Sequence, residues 1–437
     1  MSIFKTGATQ LAAIAAAGIL AAQAAPAQAH FITERVSVGS GGVQGNAESG
    51  DPSISADGRF VAFVSSASNL VPGDTNRRAD VFVRDRRTGT TRRVSLGAGG
   101  AQGNGDSSEP ALSANGRFVA FYSEARNLVP GDTNGQADVF VRDRRTGTTR
   151  RVSLGSGGSQ SNGASVQPAL SADGRFVAFI SDATNLVPGD TNGLTDVFVR
   201  DRQTGTTRRV SLGAGGAQGN WGSVEPAVSA DGRFVAFTSL ADNLVPGDTN
   251  GITADVFVRD RQTGTTRRVS VGPGGVQSDG NSQFPALSAD GRFVAFWSQA
   301  TNLVPTDTNG TADVFVRDRQ TGTTRRVNVG PGGVQANDIS FYLALSADGR
   351  FVAFSSFATN LVPGDTNGSY DVFVRDRQKG TTRRVSLGPG GAQGNDSSYD
   401  PAVSADGRFV AFSSDASNLV PGDTNGFTDV FVRIPAP

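Results

Sequence analysis

Ala56-Asp57-Gly58-Arg59-Phe60-Val61-Ala62-Phe63 decides the fold, because the same eight residues return along the chain. Copies start at Ala172, Ala230, Ala289, Ala347 and Ala405, and a variant with Asn115 in place of Asp starts at Ala114. Successive copies lie 58 residues apart, with one step of 59 caused by an extra residue in Gly251-Ile252-Thr253-Ala254. A fixed period of this length identifies a repeat architecture, in which each unit buries its apolar face against its neighbours. Each copy runs on through NLVPGDTNG, DVFVRDR and TGTTRRVSLG to a Gly-rich stretch and a Pro.

Every repeat holds four strand-like runs. In the second copy these are Ala111–Ser113, Phe118–Ser123, Asp138–Arg144 and Thr148–Leu154. The Phe-Val-Ala-Phe run is apolar on both faces, as a strand sandwiched between two sheets must be. Asp57-Gly58 and Thr88-Gly89 are tight-turn pairs, since glycine adopts positive φ at little cost. Four antiparallel strands repeated seven times predict an all-β fold, a seven-bladed β-propeller. The chain opens on Arg35-Val36-Ser37-Val38, which matches a fourth strand, and closes on Asp429–Arg433, which matches a third. The N-terminal strand is therefore expected to complete the last blade and leave no open sheet edge. The alternative, a linear solenoid, needs capping repeats, and none is visible. Of the 27 Phe residues, 21 occupy three equivalent positions per blade, represented by Phe60, Phe63 and Phe82, and are read as core.

Pro110-Ala111-Leu112-Ser113-Ala114-Asn115-Gly116-Arg117 and its sister copies resemble the P-x-L-S-P-D-G-K signature of the TolB-like, or WD40-like (PD40), propeller repeats. The FVAFxS and DVFVRDR runs fit the same pattern across nearly the whole chain. The resemblance implies a propeller. The second Pro of the signature is Ala here, and no segment corresponds to the amino-terminal α/β domain of TolB, so TolB's envelope role is not carried over.

Leu11–Ala22 is an apolar run behind Lys5, and Ala27-Gln28-Ala29 fits a small-x-small cleavage rule. Residues 1–29 are read as a cleavable signal peptide and residues 30–437 as the propeller, a periplasmic or secreted protein without a transmembrane segment. The 40 basic and 40 acidic residues balance, which argues against bulk-charge attraction to nucleic acid. A closed ring of this kind is expected to be a monomer. Cysteine is absent and the single histidine is His30, which removes thiol and Ser–His nucleophiles and ordinary zinc sites.

The copies differ mainly on one side. Strand-four-to-one and strand-two-to-three loops share a face, and the tight turns occupy the other. The aromatics outside the core (Tyr122, Trp221, Phe284, Trp297, Phe341, Tyr342, Phe357, Tyr370, Tyr399 and Phe427) all fall in or beside the variable loops. Trp221, Phe284, Phe341, Tyr342 and Tyr399 are the candidate ligand-binding residues, suited to a protein or polysaccharide partner. Drift in tolerant loops is the competing reading.

The loop between strands two and three carries Asp-Thr-Asn-Gly-x-x-Asp. Asp132, Asn134 and Asp138, then Asp190, Asn192 and Asp196, Asp365, Asn367 and Asp371, and Asp423, Asn425 and Asp429 alternate oxygen ligands around a glycine turn. That pattern suits a hard cation such as Ca2+, although it lacks the bidentate Glu of the full motif. An Asx turn bonding nearby backbone reads the same residues differently. Around the tight turns, Arg such as Arg59, Arg86, Arg87, Arg92 and Arg93 face Asp57 and Asp85; they either pair with neighbouring strands or form a ring that meets an acidic polymer.

Only carboxylates remain for catalysis. Glu48, Glu109, Glu225 and Asp400 occupy comparable loop positions just before the first strand, where they could approach the central channel and two could act as a glycosidase pair. Nothing in the sequence around them marks one as perturbed. The favoured reading is a non-enzymatic binding scaffold recognising a partner through its variable face; the alternative is a carbohydrate-active enzyme.

Overall fold

The computed structural model describes residues 31–435. The proposed signal peptide and His30 lie outside the described residues. Seven four-stranded antiparallel sheets make up the molecule. The N-terminal strand β1 (Phe31–Arg35) is followed by the first blade, β2 (Ser49–Ile54), β3 (Phe60–Ser65), β4 (Asp80–Asp85) and β5 (Thr90–Arg93), hydrogen-bonded in that order. The remaining blades repeat it. The last blade is built from Ser398–Val403, Val410–Ser414 and Asp429–Pro435, with β1 added as its outer strand. Arg35 lies opposite Phe431 as Arg93 lies opposite Phe82, so β1 occupies the register of a fourth strand and begins upstream of the Arg35–Val38 match.

The two Phe of each FVAF strand act at different places, one within the blade and one between blades. Each FVAF strand brings its second Phe opposite the Phe of the next strand, and Phe63 and Phe82 stack at 5.8 Å, fully buried. Burying each such ring stabilises the blade by roughly 1.5–3 kcal/mol before entropy is counted. The first Phe acts between blades instead. Phe60 is half-buried, with the guanidinium of Arg59 4.5 Å and that of Arg144, from the next blade, 4.4 Å from its ring centre. The ring also lies against Gly116 of the neighbouring turn, where φ is +67° and a Cβ would overlap it. Only glycine satisfies both the turn and the close approach.

Closure is continuous around the channel. The Ala56 N–H donates to the Ala114 carbonyl at 2.9 Å, Ala114 to Ala172, and so on through Ala347 to Ala405 at 3.1 Å. Ala405 then donates to Ala56 at 3.1 Å, so seven peptide units form one closed ring of hydrogen bonds at the tight-turn end. The extra residue of the fourth blade is absorbed in its loop, because Asn250 still reaches Asp255 at 3.0 Å.

Candidate functional site

The first strand of each blade carries a register shift in its middle, as between Ser108 and Ala111. The residue just before the Pro of that strand, or before Leu343 in the sixth blade, sits in that bulge with positive φ: Asp51 (51°), Glu109 (51°), Gln167 (53°), Glu225 (57°), Phe284 (55°), Tyr342 (42°) and Asp400 (50°). A bulge re-aims one side chain without disturbing the rest of the strand. Here it turns seven equivalent side chains into the central channel, where they and the following residues line a cavity of about 390 Å³. Left-handed backbone at non-glycine positions costs on the order of 1–3 kcal/mol each and is concentrated where function requires it.

The ring is cross-linked from blade to blade. Glu109 Oε2 accepts the Gln167 N–H at 2.9 Å, Gln167 Oε1 accepts the Glu225 N–H at 3.0 Å, and Glu225 Oε2 accepts the Phe284 N–H at 2.8 Å. Thr238 Oγ1 also donates to Glu225 at 2.7 Å, and Ser108 Oγ to Asp51 at 3.3 Å. Going round, Asp400, Asp51 and Glu109 form an acidic arc, and Phe284 and Tyr342 an aromatic one.

The acids are perturbed. The channel wall crowds Asp51, Glu109 and Glu225, and burial raises each above the usual carboxylate range although their edges stay open to the lumen. Asp400 is pushed up to about 7, first by burial and then by the negative charge of Asp51. Glu48 does not belong to the ring. It is exposed in the preceding loop, and the position equivalent to Glu109 is Asp51. The expectation of unperturbed acids and the choice of Glu48 are both corrected by the bulge, which counts residues differently from a regular strand.

The candidate aromatics separate into groups. Phe284 meets Trp297 edge-on at 6.3 Å. Phe341 packs on Tyr342 at 4.5 Å and on Tyr370 at 5.0 Å, and Phe357 joins Tyr370 at 5.0 Å. Phe284 and Tyr342 stay 41% and 44% exposed, so two neighbouring aromatic groups, one on the fifth blade and one on the sixth, each reach the channel. Trp221 is exposed in the loop entering the fourth blade, outside these groups. Tyr399 turns its hydroxyl to Asp415 at 2.9 Å, and burial raises it to about 12. The exposed cations on this face, among the described residues, are Arg77, Arg78 and Arg126, whereas Glu48, Glu124, Asp182, Asp242, Asp279, Asp396 and Asp415 are exposed acids.

The Asp-Thr-Asn-Gly loops already hold a cation, and it is arginine. In the second blade Arg151 Nη1 lies 2.9 Å from Asp138 and 3.4 Å from Asp132. Asn134 turns its amide nitrogen, not its oxygen, to Asp138 at 2.9 Å, and Ser153 donates to the other carboxylate oxygen at 2.5 Å. Arg209 does the same for Asp190 and Asp196, with Asn192 donating to Asp196 at 3.2 Å. Arg384 serves Asp365 and Asp371, with Asn367 at 3.0 Å, and Arg35 serves Asp423 and Asp429, with Asn425 at 3.0 Å. A Ca2+ site needs oxygens converging on a free centre. Here nitrogen donors fill that centre, and among the described residues no three His, Cys, Asp or Glu side chains are placed to hold a metal. In each of these loops the carboxylates are paired with a guanidinium, which a Ca2+ ion would have to displace.

Two participants escaped the sequence reading. Gln102 and its counterparts clamp each loop: Gln102 Oε1 accepts Arg93 at 3.1 Å while its Nε2 donates to the Gly73 carbonyl at 2.6 Å. Asp51 and Gln167 belong to the ring, and the signal for them was the second of two variable residues after a Ser that recurs in all seven copies, directly before a Pro in six of them.

No family model matches the sequence, and no curated protein matches it. Solved structures resemble it in fold. An oligogalacturonate lyase in complex with manganese aligns with a TM-score of 0.56 at 13% identity, covering 93% of this chain and 96% of that one. The β-propeller domain of the Trilobed protease from Pyrococcus furiosus, described as having an open velcro topology, aligns at 0.54 and 13% identity, covering 89% and 93%. TolB from Acinetobacter baumannii matches more loosely, at 0.39 and 15% identity over 82% of this chain and 76% of its own. At such identities the likeness is one of fold, and the fold is a seven-bladed β-propeller that both enzymes and other proteins use.

Proposed function

We propose that the chain is a binding scaffold whose variable face captures a basic protein segment at the channel ring. The observation that carries this is the ring itself: seven bulged residues, four of them carboxylates and two of them aromatic, aimed into one cavity. A Lys or Arg side chain placed there meets carboxylates on one side and aromatic faces on the other, and both attract a cation. The surrounding loops add exposed acids and few cations, so the face favours a basic partner before contact.

Calorimetric titration with a lysine- and arginine-rich peptide, against an acidic peptide of equal length, tests this. The basic peptide is expected to bind, and Asp51→Asn with Asp400→Asn, or Phe284→Ala with Tyr342→Ala, to weaken it about tenfold. Equal binding of the acidic peptide, or unchanged affinity in both double variants, overturns the reading.

A second reading rests on Asp400 alone. A carboxyl raised to about 7 beside Asp51 is the kind of acid that protonates a glycosidic oxygen. It predicts slow turnover of an oligosaccharide that Asp400→Asn abolishes.

A further inference from the structure

A second set of sites lies on the opposite side of the molecule. Between successive blades, on the tight-turn side of the outer rim, open clefts of 860, 890 and 880 Å³ recur between the first and second, second and third, and third and fourth blades. The first is lined by Arg92, Arg144, Thr88, Thr90 and Gln102 beside Phe60. Asp85 is spoken for there, since Arg59 grips it with Nε at 2.9 Å and Nη2 at 2.6 Å. Arg144 is half-buried against Phe60 and donates only to the Gly116 carbonyl. Arg92 is exposed and, among the described residues, has no carboxylate partner. Burial lowers Arg144 below its ordinary value; the charge of Asp85 opposes this, and the like charges of Arg92 and Arg59 add to it. The same combination returns with Arg150 and Arg202, Arg208 and Arg261, Arg267 and Arg319, and Arg325 and Arg377.

The seventh cleft shows what the others lack. In β1, Glu34 faces Val432 in the register that Arg92 holds opposite Val83. From there its Oε2 reaches Arg86, the first-blade counterpart of Arg144, at 3.1 Å from Nε and 2.9 Å from Nη2. An internal carboxylate thus occupies that cleft. The sixth cleft is different again, because Pro435 stands where its second Arg would be. Five positions between blades therefore present two guanidiniums whose neighbouring aspartate, as Asp85 in the first, is already paired with another Arg.

We propose that these five positions bind the carboxylates of an acidic polysaccharide laid around the rim. The internal Glu34–Arg86 pair is the geometry each carboxylate would adopt, with the second guanidinium added. Thr88, Thr90 and their counterparts line the clefts with hydroxyls that suit sugar hydroxyl groups, and repetition lets weak single contacts sum on one polymer. This site is independent of the ring on the other face.

The test is binding of polygalacturonate to the full-length protein at low and high salt, with dextran as the neutral control and poly-glutamate as the acidic polypeptide control. Polygalacturonate is expected to bind and to be released by salt, with dextran silent. Replacing Arg92, Arg150, Arg208, Arg267 and Arg325 together by Gln should weaken binding at least about tenfold, because exposed side chains are removed without touching the core. Glu34→Gln removes the internal negative charge from the seventh cleft, leaving Arg86 without its carboxylate, and should tighten binding. Unchanged affinity in the five-fold variant, equal binding of dextran, or no gain with Glu34→Gln overturns the assignment of the clefts. Preference for poly-glutamate over polygalacturonate overturns the polysaccharide class.

Discussion

Glu109 and its six counterparts differ from the residues on either side in one torsion. With φ near +50° the side chain enters the channel, and at Gln167, Glu225 and Phe284 the backbone N–H turns towards the preceding blade, where a carboxylate or amide oxygen accepts it. Phe284 and Tyr342 offer no such acceptor to the next blade, and that is where the ring changes from acidic to aromatic. Asp400 follows Tyr342 and carries the largest consequence. Its carboxyl is raised to about 7 in the folded chain and returns to about 3.9 when unfolded. Between those values the native state holds a proton that the unfolded state has lost, so this group's contribution to stability falls as pH rises from about 4 to about 7. Asp400→Asn should therefore raise Tm relative to the parent at pH 8 and lose that advantage near pH 4. A Tm difference that is the same at both pH values would show that Asp400 does not titrate in this range.

The loop between the second and third strands is the element whose meaning changed most between sequence and structure. Asp-Thr-Asn-Gly-x-x-Asp spells oxygen ligands when read alone. Its cation arrives from the fourth strand and its clamp from the Gln beyond, 13 and 22 residues further on in the first blade for Arg93 and Gln102 relative to Asp80. Asp196 and Arg209 are almost wholly enclosed, with side chains 1% and 5% exposed. Removing one partner leaves the other charge buried, so Arg209→Gln should cost on the order of 3–5 kcal/mol, read as a lower denaturation midpoint. Calcium added to the parent protein should leave Tm unchanged; a concentration-dependent rise would restore the metal reading. The TTRR strand had been legible as a strand, but the division of its two Arg was not. Alternation sends Arg93 to the loop aspartates and Arg92 to the open rim.

At the level of the whole molecule, closure rests on β1. Its five residues supply the fourth strand of the last blade, and Glu34 also bridges to the first blade through Arg86. Deleting residues through Arg35 should expose Asp429–Pro435 as a free edge, lower Tm by about 10 °C and produce larger species in light scattering. A truncated chain that stays monomeric with the parent Tm would move the closure to the Ala56–Ala405 hydrogen-bond ring alone. The balanced net charge conceals a division between faces. The loop side carries exposed acids and few exposed cations, whereas the turn side carries Arg without a carboxylate partner beside exposed turn aspartates such as Asp57 and Asp173, so the two faces of a formally neutral chain are unlike.

The blade count, the four strands, the tight turns and the strand exchange were readable from sequence because they are local and repeated. Hydrophobic period, turn chemistry and register are properties of neighbouring residues, and seven copies stated each of them seven times. The partners of the charged side chains were not readable. Arg151 in a calcium-like loop, Asp51 in the ring and Glu34 against Arg86 meet through contacts between strands and between blades. A single inserted bulge residue, or one step of strand alternation, decides which side of the sheet each charge reaches. Only the closed tertiary structure sets those contacts, since a charge is spent or free according to what lies across the interface.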